Sequence, residues 1–106
     1  MQPLLERLMT TFPDAVRGVE VDTARNEITA RVAAARIVDV ARWLHDTPEA
    51  SFDHITDICS VDYPNDPERF EVVYQLLSLA HRRRIRLKAR VTEDAPQIAS
   101  VTGIWK

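Results

Sequence analysis

One cysteine, two glycines and 7% aromatic residues leave little material for most kinds of active centre. The single thiol, Cys59, excludes an internal disulfide and fits a reducing compartment. It also excludes an iron–sulfur cluster held by this chain alone, because such clusters need several thiolates. Gly18 and Gly103 are too few to build a phosphate-cradling loop or a dinucleotide fingerprint. Nucleotide binding is therefore not expected. No apolar run reaches the roughly 18 residues that a membrane-spanning helix requires. The opening, Met1-Gln2-Pro3-Leu4-Leu5-Glu6-Arg7, has neither the apolar stretch of a signal peptide nor the Arg/Ser-rich character of a transit peptide. A cytoplasmic bacterial protein is the simplest expectation. Charge of one sign is lacking too: 14 basic and 16 acidic side chains leave a net of -2. That argues against non-specific nucleic-acid binding, which needs a strongly basic surface.

What the chain does have is apolar material, 45% of 106 residues, enough for the core of one small domain over residues 1–106. It centres on residues 52 to 92, where three strand-like runs are split by turn-like segments. The last run alternates strictly. Ile85, Leu87, Ala89 and Val91 share one face, and Arg84, Arg86, Lys88 and Arg90 share the other. Strand side chains repeat every two residues, so this is a half-buried strand with a basic outer row.

Taken in order, residues 3 to 12 form a short helix with Leu4, Leu5, Leu8, Met9 and Phe12 at helical spacing, stopped by Pro13. Residues 16 to 22 and 27 to 32 form a hairpin around an Asp-Thr-Ala-Arg-Asn turn, and Gly18 marks a bulge or close packing in its first strand. Residues 35 to 45 form a second helix with Ile37, Val40, Ala41 and Leu44 in one stripe and Trp43 on its flank, as boundary packing or a partner contact. The final two strands pair around Ala80-His81-Arg82-Arg83. Core must face core, so even positions pair with odd ones: Leu76 with Leu87, Tyr74 with Ala89, Val72 with Val91. A one-residue slip would turn the arginines into the core. Residues 95 to 106 begin as a polar, then apolar tail that opens a truncated C-terminal helix. The exposed Trp105 at its end reads as truncation or as a docked end. The sum is an α+β fold of order α-β-β-α-β-β-β: an antiparallel sheet, made of a hairpin plus a three-stranded meander, with two helices packed on one face.

Candidate chemistry is sparse. His54, Asp57, Cys59 and Asp62 have metal-ligand types, but in a regular strand His54 points away from Asp57 and Cys59, which also defeats a Cys–His nucleophilic pair. His45, His81 and the loop carboxylates read as surface groups, with nothing to raise a carboxyl pKa by burial. No catalytic, cofactor-binding or metal-binding residue is assigned. The basic row is the most pointed feature. It reads either as a solvated sheet face with cross-strand pairs or as a surface for an acidic partner. RNA is disfavoured because no aromatic residues flank it for stacking.

The phrases Phe52-Asp53-His54-Ile55-Thr56-Asp57-Ile58-Cys59-Ser60-Val61-Asp62-Tyr63-Pro64, Glu68-Arg69-Phe70-Glu71-Val72-Val73-Tyr74-Gln75-Leu76-Leu77-Ser78-Leu79, Arg84-Ile85-Arg86-Leu87-Lys88 and Ser100-Val101-Thr102-Gly103-Ile104-Trp105 carry a resemblance. Together they resemble the NADH-quinone oxidoreductase C-subunit family, the thirty-kilodalton subunit of respiratory complex I, over roughly residues 36 to 106 and more weakly over the first third of the chain. Members usually continue past the Gly-Ile-Trp phrase into a helix rich in Glu-Arg-Glu and Phe-Asp-Met. That signature is absent here, so the resemblance is to an N-terminal domain. It implies a non-catalytic structural subunit of the peripheral arm, on the cytoplasmic side of the bacterial inner membrane. Its partners would be the other peripheral-arm subunits, especially the quinone-site and cluster-bearing ones, with no nucleic acid and no direct membrane span. It would bind no cofactor itself, while the complex uses FMN, iron–sulfur clusters and quinone to pass electrons from NADH to quinone. Arg84, Arg86, Lys88, Arg90 and Trp105 are the candidate partner-interface residues. An equivalent subunit of a membrane-bound hydrogenase or formate hydrogenlyase, or a free-standing small interaction module, are the alternatives.

Overall fold

A computed structural model describes residues 2–25 and 27–92. Trp105 and the proposed tail helix fall outside the described residues. The elements are α1 (Gln2–Thr11), β1 (Val16–Asp22), β2 (Glu27–Val32), a short 3-10 turn (Ala34–Arg36), α2 (Ile37–Asp46), β3 (His54–Asp62), β4 (Phe70–Ser78) and β5 (Arg83–Val91). This is the predicted order.

The sheet departs from expectation in one respect. Its five strands run β1-β2-β5-β4-β3, and β2 lies parallel to β5. It is a mixed sheet, not an antiparallel one. The reason is directional. Helix α2 carries the chain back along the sheet, so β3 starts out in the same direction as β2. Two antiparallel steps, β3 to β4 and β4 to β5, then restore that direction in β5. The meander therefore meets the hairpin with parallel neighbours, and the strand with the basic row becomes the central one.

One face of the sheet is covered by the helices. Leu4, Leu5, Leu8 and Phe12 of the first segment and Ile37, Val40, Ala41 and Leu44 of α2 are buried against Ile28, Ala30 and Val32 of β2, Ile85, Leu87 and Ala89 of β5, and Tyr74 and Leu76 of β4. Each large apolar side chain among them contributes about 1.5–3 kcal/mol by leaving water. Phe52 is fully buried where the chain leaves α2 for β3, and its N–H donates to Leu44 O at 3.0 Å. Met9 departs from its predicted stripe: it is 50% exposed. Trp43 is boundary packing, edge-to-face with Phe12 at 6.3 Å and under the Arg7 guanidinium at 5.8 Å. Gly18 lies at a break in register between Val16 and Gly18, so the predicted bulge is present.

Even positions of β4 do pair with odd positions of β5, but two residues away from the predicted register. Tyr74 opposes Leu87, Leu76 opposes Ile85 and Val72 opposes Ala89. The connecting loop is Leu79-Ala80-His81-Arg82, closed by the Ser78–Arg83 pair. Ser78 Oγ accepts from the His81 N–H at 3.3 Å, and Arg82 takes a left-handed φ of 53°. Alternation fixes only parity; this turn chemistry selects among the registers of correct parity.

Candidate interaction surface

The basic row lies on the face of the sheet that carries no helix among the described residues, the helix-free face. Register places its side chains in ranks that cross the strands. Asp22, Glu27, Arg84, Leu77 and His54 make one rank; Glu20, Thr29, Arg86, Gln75 and Asp57 the next; Gly18, Arg31, Lys88, Val73 and Cys59 the third. Acidic residues thus concentrate on β1 and the start of β2, and cations run down the centre on β5. Arg31 is taken up by Glu20, with Nη2 to Oε1 at 2.7 Å. Arg84, Arg86 and Lys88 join no ion pair among the described residues.

A hollow of about 160 Å³ opens on this face. Glu27, Thr56, Gln75, Leu77, Arg84 and Arg86 are among its lining residues. Thr56 is the extra residue of a bulge in β3, and its hydroxyl donates to Gln75 O at 3.1 Å. With two guanidinium groups against one carboxylate, the hollow suits an anionic group.

Arg90 is different from its row-mates. Its side chain is only 27% exposed and holds the β3–β4 connection in place. Nε donates to Glu68 O at 3.0 Å. Nη1 lies 3.9 Å from Glu71 Oε2, a carboxylate on a side chain 8% exposed. Nη2 sits 3.1 Å from Asp66 Oδ2 without the angle for a hydrogen bond. The guanidinium also stacks 4.3 Å from the Tyr63 ring centre, and the Tyr63 hydroxyl donates to Glu71 Oε1 at 3.5 Å. Arg90 is a structural cation here. The register puts Glu71 directly opposite Arg90. The aromatic lid came from the loop and had no signal in the alternation.

The bulge at Thr56 also corrects the parity argument for His54. The residue is inserted between Ile55 and Asp57, so His54, Asp57 and Cys59 all fall on the helix-free face, opposite Leu77, Gln75 and Val73. No group of three or more His, Cys, Asp or Glu side chains converges to hold a metal among the described residues. No helix among them is long and apolar enough to cross a membrane.

Residues 30–106 match the model of the respiratory-chain NADH dehydrogenase 30 kDa subunit family. The chain belongs to that family. The NADH-quinone oxidoreductase C subunit of Roseiflexus sp. strain RS-1 is 45% identical over 102 residues, which are 96% of this chain and 58% of that protein. Its counterpart in Xanthobacter autotrophicus is 49% identical over 105 residues, 99% of this chain and 49% of that one. The chain therefore spans about half the length of the relatives it matches. The fold matches a chain in the structure of the membrane-bound sulfane sulfur reductase, an archaeal respiratory membrane complex. That match has a TM-score of 0.81 at 23% identity, over 98% of this chain and 58% of the other. The same α+β fold thus recurs there in a distant sequence.

Proposed function

We propose that the chain is the structural, cofactor-free part of a 30 kDa subunit in the peripheral arm of a proton-translocating NADH:quinone oxidoreductase. The family match over residues 30–106 is the observation that carries this reading. In this role the domain supports electron transfer from NADH to quinone by holding neighbouring subunits in place. FMN and the iron–sulfur clusters belong to those neighbours, which fits a chain with one cysteine and two glycines. Its place is peripheral, on the cytoplasmic side of the bacterial inner membrane, beside the quinone-site and cluster-bearing subunits. The helix-free face is the contact surface, with Arg84, Arg86 and Lys88 meeting acidic side chains of a neighbour. Paired charges at such a face set orientation and discriminate among partners more than they add affinity.

The test is purification of the complex through this subunit, in its full-length form, from its own cell. The expected result is co-purification with cluster-bearing subunits and NADH–quinone activity. Arg84→Glu with Arg86→Glu should leave the fold unchanged by circular dichroism and lower the yield of the assembled complex. A subunit recovered alone, with no respiratory partners, would overturn the reading.

A further inference from the structure

Strand β3 forms one edge of the sheet, from His54 to Asp62. Eight of its nine residues are exposed, and only Ile55 is half-buried. Its inner side pairs with β4, and its outer side faces no strand among the described residues. An edge of this kind presents a row of backbone N–H and C=O groups to any extended chain. Proteins that must stay alone blunt such edges with lysine, proline, bulges or covering segments. The opposite edge, β1, is also bulged near its start and also carries charges, Arg17, Glu20 and Asp22, but it is shorter and more covered, with Val16, Gly18 and Val19 half-buried. On β3 the bulge sits at Thr56, near its start. From Asp57↔Gln75 to Asp62↔Phe70 the register with β4 is unbroken, and this stretch has no lysine or proline.

The side chains along that stretch describe a partner. Ile58 is 47% exposed beside Tyr74 on the helix-covered face, and Val61 is 38% exposed beside Glu71 on the other. Asp62 is held by Arg69, with Nε to Oδ1 at 2.7 Å. Asp57 joins no ion pair among the described residues. The edge therefore offers apolar contacts on both faces and one unneutralised carboxylate at the start of the regular stretch.

We infer that residues 57 to 62 of β3 receive an extended segment of a neighbouring subunit as a sixth strand of the sheet. That segment places apolar side chains beside Ile58 and Val61 and a lysine or arginine beside Asp57. The inference rests on the reading of the chain as an assembled subunit and names a surface for that assembly distinct from the basic row.

Cys59, the only thiol of the chain, lies in the middle of this edge and serves as reporter. In the purified complex, maleimide labelling of Cys59, read by the mass of this subunit, should slow by about tenfold or more relative to the separately produced subunit. Amide exchange should slow at alternate residues from Asp57 to Asp62, the signature of a strand paired on its second side, with little change in β1. Asp57→Lys should keep the fold and reduce recovery of the complex. Assembly with Cys59 and the β3 amides as reactive as in the isolated subunit would overturn the inference and leave the subunit reading standing. Failure to assemble with respiratory partners at all would remove the reading, and the inference with it. Concentration-dependent dimers of the isolated subunit showing the same protection would also overturn it, by making a second copy the occupant.

Discussion

Arg84 and Arg90 share one strand and one face, yet burial gives them opposite roles. Arg84 is exposed, whereas Arg90 is enclosed by Tyr63, Asp66, Glu68 and Glu71. Removing Arg90 leaves the nearly buried Glu71 carboxylate without its cation and frees the loop that the guanidinium anchors. Arg90→Met should therefore cost about 1–3 kcal/mol, and Arg86→Met on the open part of the row less than about 0.5 kcal/mol. Urea denaturation of the two variants checks this; equal effects would mean that the enclosure contributes nothing. A second residue-scale effect is set by pH. Arg69 donates to both oxygens of Asp62, at 2.7 and 3.0 Å, and holds its carboxyl below the usual 3.8. A depressed folded value means that this stabilisation is complete above 3.8 and is lost as pH falls through 3.8 toward the lower folded value. Comparing unfolding at neutral pH with unfolding near pH ~3 should show a smaller acid loss in Asp62→Asn than in the parent. The site is solvent-exposed, so added salt should shrink the difference.

At the scale of elements, the junction between α2 and β3 decides the sheet. Phe52 is fully buried at that junction and its backbone ties to Leu44. It fixes where the chain turns from helix to edge strand. Phe52→Ala should cost about 3–5 kcal/mol, seen as a lower urea midpoint with an unchanged slope. A smaller loss would mean that the site collapses around the cavity. The helices were legible because their apolar stripes repeat at helical spacing, and α2 buries the four residues that its periodicity named. Strand faces were legible from alternation in β5. The register of β4 on β5 was not, because every even shift satisfies the same burial pattern. The bulge at Thr56 was hidden for a related reason: β3 is exposed on both faces, so no buried row records which residue is inserted.

At the scale of the whole molecule, the described residues form a sheet with one face covered by helices, and leave its other face and the β3 edge open. A small chain that satisfies its core on one side and leaves a central cationic strand and a long edge on the other is suited to be a part of something larger. The two proposed contacts are independent. Reversing charge at Arg84 and Arg86 tests the face, and thiol and amide protection on β3 test the edge. Family membership and the basic strand were readable from the sequence, because both lie in local patterns. The hollow beside Arg84 and Arg86 was not, since Glu27, Thr56 and Gln75 come from three other strands.

The sequence by itself determined the element order, most residues of the core and the parity of strand pairing. These follow from periodicity, which each segment carries within itself. Tertiary structure alone decided that β5 is central and parallel to β2, that Arg90 is enclosed while Arg84 is exposed, and that β3 is an edge strand among the described residues. Each of these depends on which distant segments become neighbours. That is set by the packing of the whole chain, and no local pattern encodes it.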